Sequence, residues 1–103
     1  MSETSIVGAC LDILRAYKIF AYRNNTGAFK TERGGFVRFG SKGSPDIIAV
    51  YGGQYIGIEC KDKTKQSQSQ KDFQSALENA GGFYWLVHSS EELETKLKDN
   101  SLT

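Results

Sequence analysis

The chain has 103 residues, of which 39% are hydrophobic and 24% charged, and its formal net charge is +1. A single globular domain over residues 1–103 with a modest core is expected, and no apolar run approaches the ~20 residues of a membrane-spanning helix. Met1-Ser2-Glu3-Thr4 lacks the basic and apolar regions of a secretory leader, and Cys10 and Cys60 lie far apart within apolar patterns, as buried free thiols do, so a reducing cytoplasm is the expected setting.

In chain order, Ile6, Cys10, Ile13, Leu14 and Tyr17 keep the spacing of one helical face. They predict an amphipathic helix over residues 3–17, capped by Ser2 or Thr4. Residues 19–23 read as a short strand and 24–27 as a polar loop. Residues 28–31 and 36–39 can form a hairpin around Gly34-Gly35, and 41–45 form a second loop. Strands follow over 46–50 and 55–61. Ile47-Ile48-Ala49-Val50 is apolar on both faces, as a central strand would be, and Gly52-Gly53 signals a tight turn. Ser67-Gln68-Ser69-Gln70 matches a capping box; the helix it opens turns Phe73, Ala76, Leu77 and Ala80 inward and stops at Gly81-Gly82. Residues 83–88 form another strand. Ser89-Ser90-Glu91-Glu92 is a second capping box, opening a short helix through Leu93 and Leu97. The order α-β-β-β-β-β-α-β-α predicts an α/β domain with a central mixed β-sheet flanked by helices.

Charge is unevenly spread. Between Arg23 and Lys71 lie nine basic residues and four acidic ones, a local balance of +5. A basic middle on a nearly neutral chain suggests one positive face, as nucleic-acid binding requires, although a generic solvated surface gives the same count.

The most informative residues are Ser44-Pro45-Asp46 and Glu59-Cys60-Lys61. Side chains alternate along a strand, so Glu59 and Lys61 share a face while Cys60 points away. Folding the chain at Gly52-Gly53 opposes residues whose numbers total 105, which sets Asp46 across from Glu59. Opposed Cβ atoms lie ~4.5–5.5 Å apart. Two facing carboxylates repel and are costly to bury unless a cation sits between them. Mg²⁺ prefers such oxygens and keeps several waters. Lys61 beside them can stabilise charge on a phosphate or position an attacking water. A structural ion-pair cluster is the competing interpretation.

Gly43-Ser44-Pro45-Asp46 followed by Glu59-Cys60-Lys61 resembles the PD…ExK signature of the restriction-endonuclease-like superfamily. More narrowly, the chain is similar to the virus-type replication-repair nuclease (VRR-NUC) domain. The likeness also covers Glu3, the loop Arg23-Asn24-Asn25-Thr26-Gly27-Ala28, Arg38-Phe39-Gly40 and Gln70-Lys71. It implies the restriction-endonuclease-like PD-(D/E)xK fold and a Mg²⁺- or Mn²⁺-dependent DNA endonuclease that leaves a 5′-phosphate. Asp46 and Glu59 would hold the metal, joined by the Cys60 backbone carbonyl and by Glu3, the latter through a water. Lys61 would assist hydrolysis, with Glu3 and Gln70 completing the catalytic set. Arg23, Asn25, Arg38, Lys42, Ser44, Lys63 and Lys65 are the candidate DNA contacts. Free-standing domains of this family look like Holliday-junction-resolving enzymes of DNA repair, which implies a homodimer on branched DNA in a bacterial or phage-infected cytoplasm. Phe29, Phe36 and Tyr22 are candidates for its interface. A non-catalytic DNA-binding module on a nuclease fold is the alternative.

Several residues have two readings. Glu3 continues the buried stripe of its helix, which suits either a polar site or stabilisation of the helix N-terminus. Gln70 faces inward, yet also fits its capping box. Lys63 and Lys65 suit a solvated loop as well as a phosphate contact, and Arg23, Asn24 and Asn25 suit a turn as well as DNA. His88 is a lone histidine at a strand end, and Phe83, Tyr84 and Trp85 are expected to pack the last strand.

Overall fold

The computed structural model describes residues 2–25 and 27–100; the side chains of Arg38 and Phe39 also lie outside the described set. Helix α1 (Glu3–Ala16) starts at Ser2, whose Oγ accepts from the Ser5 amide at 3.1 Å, and buries Ile6, Val7, Cys10 and Leu14. Strands β1 (Phe20–Arg23), β2 (Gly27–Lys30), β3 (Phe36–Phe39), β4 (Ile47–Tyr51) and β5 (Gln54–Cys60) follow. Helix α2 (Gln68–Asn79), strand β6 (Phe83–Val87) and helix α3 (Ser90–Asp99) complete the chain. The order is the one expected from sequence.

The main sheet runs β1-β4-β5-β6. Its first two pairings are antiparallel, whereas β5 and β6 are parallel and α2 makes the crossover between them. This is a mixed four-stranded sheet flanked by helices. Strands β2 and β3 do not join it; they pair with each other as a separate antiparallel arm.

Alternation along the strands sorts the sheet into two faces. Ile47, Ala49, Ile56, Ile58, Cys60, Trp85 and Val87 form one, and they pack with Ile6, Val7, Cys10, Leu14, Leu93 and Leu97 from α1 and α3. That side holds the hydrophobic core, including the two free thiols Cys10 and Cys60. Tyr84 and Trp85 are buried, and Phe83 packs its ring 6.3 Å from that of Trp85. The opposite face carries α2 over β5 and β6 and leaves Phe20, Tyr22 and Val50 exposed. No helix among the described residues is long and apolar enough to cross a membrane.

Two expectations are corrected. The apolar stripe of α2 is not inward throughout: Phe73 and Leu77 are half-buried, while Ala76 and Ala80 are exposed. The helix lies on the sheet with Leu77 against Gly57 and Gly82, while Ala76 and Ala80 face outward. The second capping box is half-made. Ser89 Oγ accepts from the Glu92 amide at 3.1 Å, but the Glu92 carboxylate turns to His88, accepting from its backbone N–H at 2.8 Å and lying 3.2 Å from its ring Nδ1.

Gly57, on the second face, is closely covered by Pro45 and Leu77. A Cβ there would lie 2.7 Å from Pro45 Cγ and 3.3 Å from Leu77 Cδ2. Leu77 can rotate away; the Pro45 ring is fully buried and cannot. Gly57→Ala should therefore destabilise the protein by about 1–3 kcal/mol, the usual cost of overpacking. Urea unfolding would show this as a lower midpoint at unchanged slope.

Candidate active site

The β4–β5 hairpin sets the site. Gly52 and Gly53 turn it in two residues with φ of 57° and 80°, a conformation that favours glycine at both positions. The register runs from Tyr51↔Gln54 to Ile47↔Ile58, as the sequence implied. One step further along, Asp46 meets the level of Glu59, on the face away from the core. Asp46 Oδ2 accepts the Cys60 backbone N–H at 2.8 Å, which fixes its carboxylate against the end of β5. The Cys60 backbone thus borders the site while its side chain is buried in the core.

The loop before Asp46 is held from two sides. Asn24 donates its Nδ2 to Ser44 Oγ at 2.7 Å and to the Pro45 carbonyl at 3.0 Å, and its own amide reaches the Asp46 carbonyl at 2.7 Å. On the other side Gly43, at φ 81°, lies so close to α2 that a Cβ would collide with the Ser69 carbonyl. The loop carrying Asp46 and the first turn of α2 are therefore in direct backbone contact.

That first turn supplies Gln70. Its Oε1 accepts the Ser67 amide at 2.8 Å, completing the capping box, and its Nε2 donates to Glu59 Oε2 at 2.9 Å. One amide serves both of the roles anticipated for it. Lys61 Nζ stands 3.7 Å from the same Glu59 oxygen, and both side chains are buried. Burial first, then the Asp46 charge, push the Glu59 carboxyl up to about 7 against the opposing pull of Lys61. Asp46 is raised too, mainly by burial, with the Cys60 amide pulling it back. Glu3 is half-buried in the first turn of α1, close enough to raise both carboxyls by its charge, and its Oε2 accepts from Thr64 Oγ1 at 3.3 Å. Among the described residues, no three His, Cys, Asp or Glu side chains are grouped as a metal-holding cluster.

The outer candidates are spread around this centre. Arg23, Asn25, Lys42, Lys63 and Lys65 are exposed, and the charge of Arg23 reaches Asp46. Ser44 uses its hydroxyl oxygen to accept from Asn24. Arg38 falls within β3, but its side chain is outside the described residues. Asn24, expected in a turn or on DNA, clamps the Asp46 loop instead. One contributor escaped the sequence. Gln66 donates to the buried Tyr84 hydroxyl at 3.2 Å and to Gln74 Oε1 at 3.1 Å beneath α2, and nothing in its polar surroundings marked it. No family model matches the chain, and no curated protein matches it either.

The raised Glu59 fixes the sign of a pH effect. Its carboxyl titrates near 4.5 when unfolded and near 7 when folded, so the folded state holds the proton more tightly. Its contribution to stability is full below 4.5, declines as pH rises through 7 and is flat above. In metal-free buffer, the stability of the parent relative to Glu59→Gln should fall by roughly 3 kcal/mol across that window, at about 1.36 kcal/mol per pH unit. Parallel melting curves from pH 4 to 8 would measure the difference; a constant gap would contradict the burial effect.

Proposed function

We propose that this chain is a metal-dependent DNA endonuclease of the PD-(D/E)xK type, built on a restriction-endonuclease-like fold and similar to VRR-NUC domains. The observation that carries it is the Asp46–Glu59–Lys61 constellation. Two carboxylates meet across one hairpin, both held above their ordinary range, with a buried lysine 3.7 Å from one of them.

The donor set fits a hard divalent cation. Asp46 Oδ2 is taken by the Cys60 amide, and Glu59 Oε2 by Gln70 and Lys61. The other oxygen of each carboxylate has no hydrogen-bond partner among the described residues, and those two would hold Mg²⁺ or Mn²⁺ beside the Cys60 backbone carbonyl. Two protein carboxylates leave the positions that Mg²⁺ characteristically fills with water and phosphate oxygens. When bound, the metal neutralises charge building on the scissile phosphate and acidifies water. Gln70 keeps Glu59 oriented, as partners of metal-binding carboxylates do. The Lys61 ammonium contacts a phosphate oxygen or positions the attacking water. Glu3, tethered to Thr64, holds a further water at the edge of the site.

Asp46→Ala, Glu59→Ala and Lys61→Ala should each lower Mg²⁺- or Mn²⁺-dependent cleavage by about 100-fold or more while the protein stays folded. Gel assays on linear, flapped and four-way DNA would read this. A folded Asp46→Ala protein that cut at the parental rate would show the site to be wrong. DNA binding without cleavage at any metal concentration would favour the non-catalytic module instead.

We also propose that the chain works as a two-fold homodimer on branched DNA, as a Holliday-junction-resolving enzyme does. Its radius of gyration of 14.5 Å lets one copy cover little more than a turn of duplex, whereas two copies set paired active sites at a fixed separation. The row Phe20, Tyr22 and Val50 on the second sheet face is an apolar surface that a second copy would cover. Light scattering at micromolar concentration should give twice the chain mass, and a four-way junction should be cut faster than linear DNA of matched sequence. A monomer with full junction activity would rule out the dimer, and equal rates would rule out the preference.

A further inference from the structure

The β2–β3 arm is unlike the rest of the molecule. Every described side chain in its two strands is exposed, with Phe36 at 74% and Phe29 at 55%. Among the described residues no other helix or strand packs extensively on it, and the molecule measures 50 Å along its longest axis against 31 and 24 Å across. An isolated two-stranded hairpin is marginal in water, so an arm displaying two phenylalanines is suited to being covered by something.

Its structure and charge narrow what that is. The tip is shaped by local bonds: Thr31 N–H to the Gly35 carbonyl at 2.8 Å, Gly34 N–H to the Thr31 carbonyl and Gly35 N–H to Thr31 Oγ1, both at 3.0 Å. The register sets Phe29 opposite Val37 on one face of the ribbon and Lys30 opposite Phe36 on the other. Residues 27–42 carry Lys30, Arg33, Arg38 and Lys42 against Glu32 alone, a balance of +3 on a chain whose net charge is +1. The arm's roots are tied together by Asn24, through its bonds to Ser44, Pro45 and Asp46. A basic ribbon bearing exposed aromatics is thus anchored to the loop that delivers Asp46. A second copy of the chain would match the phenylalanines but not the charge, because two like-charged arms repel in a symmetric contact. A polyanion with aromatic faces matches both.

We propose that the β2–β3 arm is a nucleic-acid grip in which Phe36 and Phe29 stack on bases left unpaired at a branch point while Lys30 and Arg33 contact the flanking phosphates. This deepens the nuclease reading by naming unpaired nucleotides as what the enzyme recognises, and it rests on that reading only for the position of the cut. Stacking is sequence-tolerant because every base has a π-face, and phosphate contacts are sequence-blind. The grip therefore selects structure rather than sequence.

The test uses the full chain in EDTA, a labelled four-way junction carrying unpaired nucleotides at its branch point and a linear duplex of the same arm sequence, with affinity read by fluorescence anisotropy over a range of salt. Phe36→Ala should weaken junction binding by roughly 5- to 100-fold, the range for loss of one stacked base, with much less effect on the duplex. Lys30→Gln and Arg33→Gln should weaken both DNAs and each lower the slope of log affinity against log salt by about one. All these side chains are exposed, so melting temperatures should stay near the parental value. Unchanged junction affinity in the Phe29→Ala/Phe36→Ala double variant would overturn the grip. So would a loss of affinity accompanied by a fall in oligomeric mass, which would make the arm a protein interface. The two readings fail separately. Parental protein that cuts DNA while every arm variant binds and cuts equally well removes only the grip; parental protein that binds junctions through the arm but never cuts removes only the nuclease.

Discussion

The placement of two carboxylates at one level of the β4–β5 hairpin is the constraint on which the rest of the site depends. Strand pairing fixes that level: a slip of one residue would carry Glu59 and Lys61 to the core face and put Cys60 in their place. The surrounding structure answers the resulting cost. The Cys60 amide holds one oxygen of Asp46, Gln70 and Lys61 share one oxygen of Glu59, and the buried Glu59 carboxyl still sits near 7. Charge that is only partly compensated in this way supports the proposed metal site over a purely structural cluster, where complete pairing is favoured.

The division of labour between the sheet's faces follows from the same constraint. Helices α1 and α3 build the hydrophobic core on one side, so the other is free to carry polar groups. Helix α2 buries none of its residues completely. Its contribution is positional: Leu77 meets the sheet at Gly57, Ser69 abuts Gly43, and Gln70 reaches Glu59. Fold stability and site geometry are thus supplied largely by different helices, and substitutions in α2 should bear on the site more than on the core.

Much of this arrangement was legible in the sequence because it depends on local rules. Gly52-Gly53 specified the turn, the turn specified the register, and strand alternation then placed Asp46, Glu59 and Lys61 on one face. Gln70 was legible twice, as a capping residue and as an inward-facing one. What the sequence did not reveal depends on distant partners. The stripe of Phe73, Ala76, Leu77 and Ala80 has helical periodicity, but periodicity cannot tell how wide a sheet lies beneath it. Residues 28–31 and 36–39 have the pattern of a hairpin, and nothing local says whether that hairpin joins the central sheet. The tie from Asn24 to Pro45 spans 21 positions and forms only when β1 lies beside β4. Glu92 satisfied the spacing of a capping box, yet its carboxylate took the nearer His88 amide.

The central claim is that Asp46 and Glu59 together hold a divalent metal. Titrating the DNA-free protein with Mn²⁺ and following unbound Mn²⁺ by electron paramagnetic resonance tests it without reference to cleavage or to any DNA substrate. The expected result is saturable Mn²⁺ uptake that Mg²⁺ displaces and that disappears in both Asp46→Asn and Glu59→Gln. Uptake of equal strength in the parent and in both variants, or none in the parent, would contradict it.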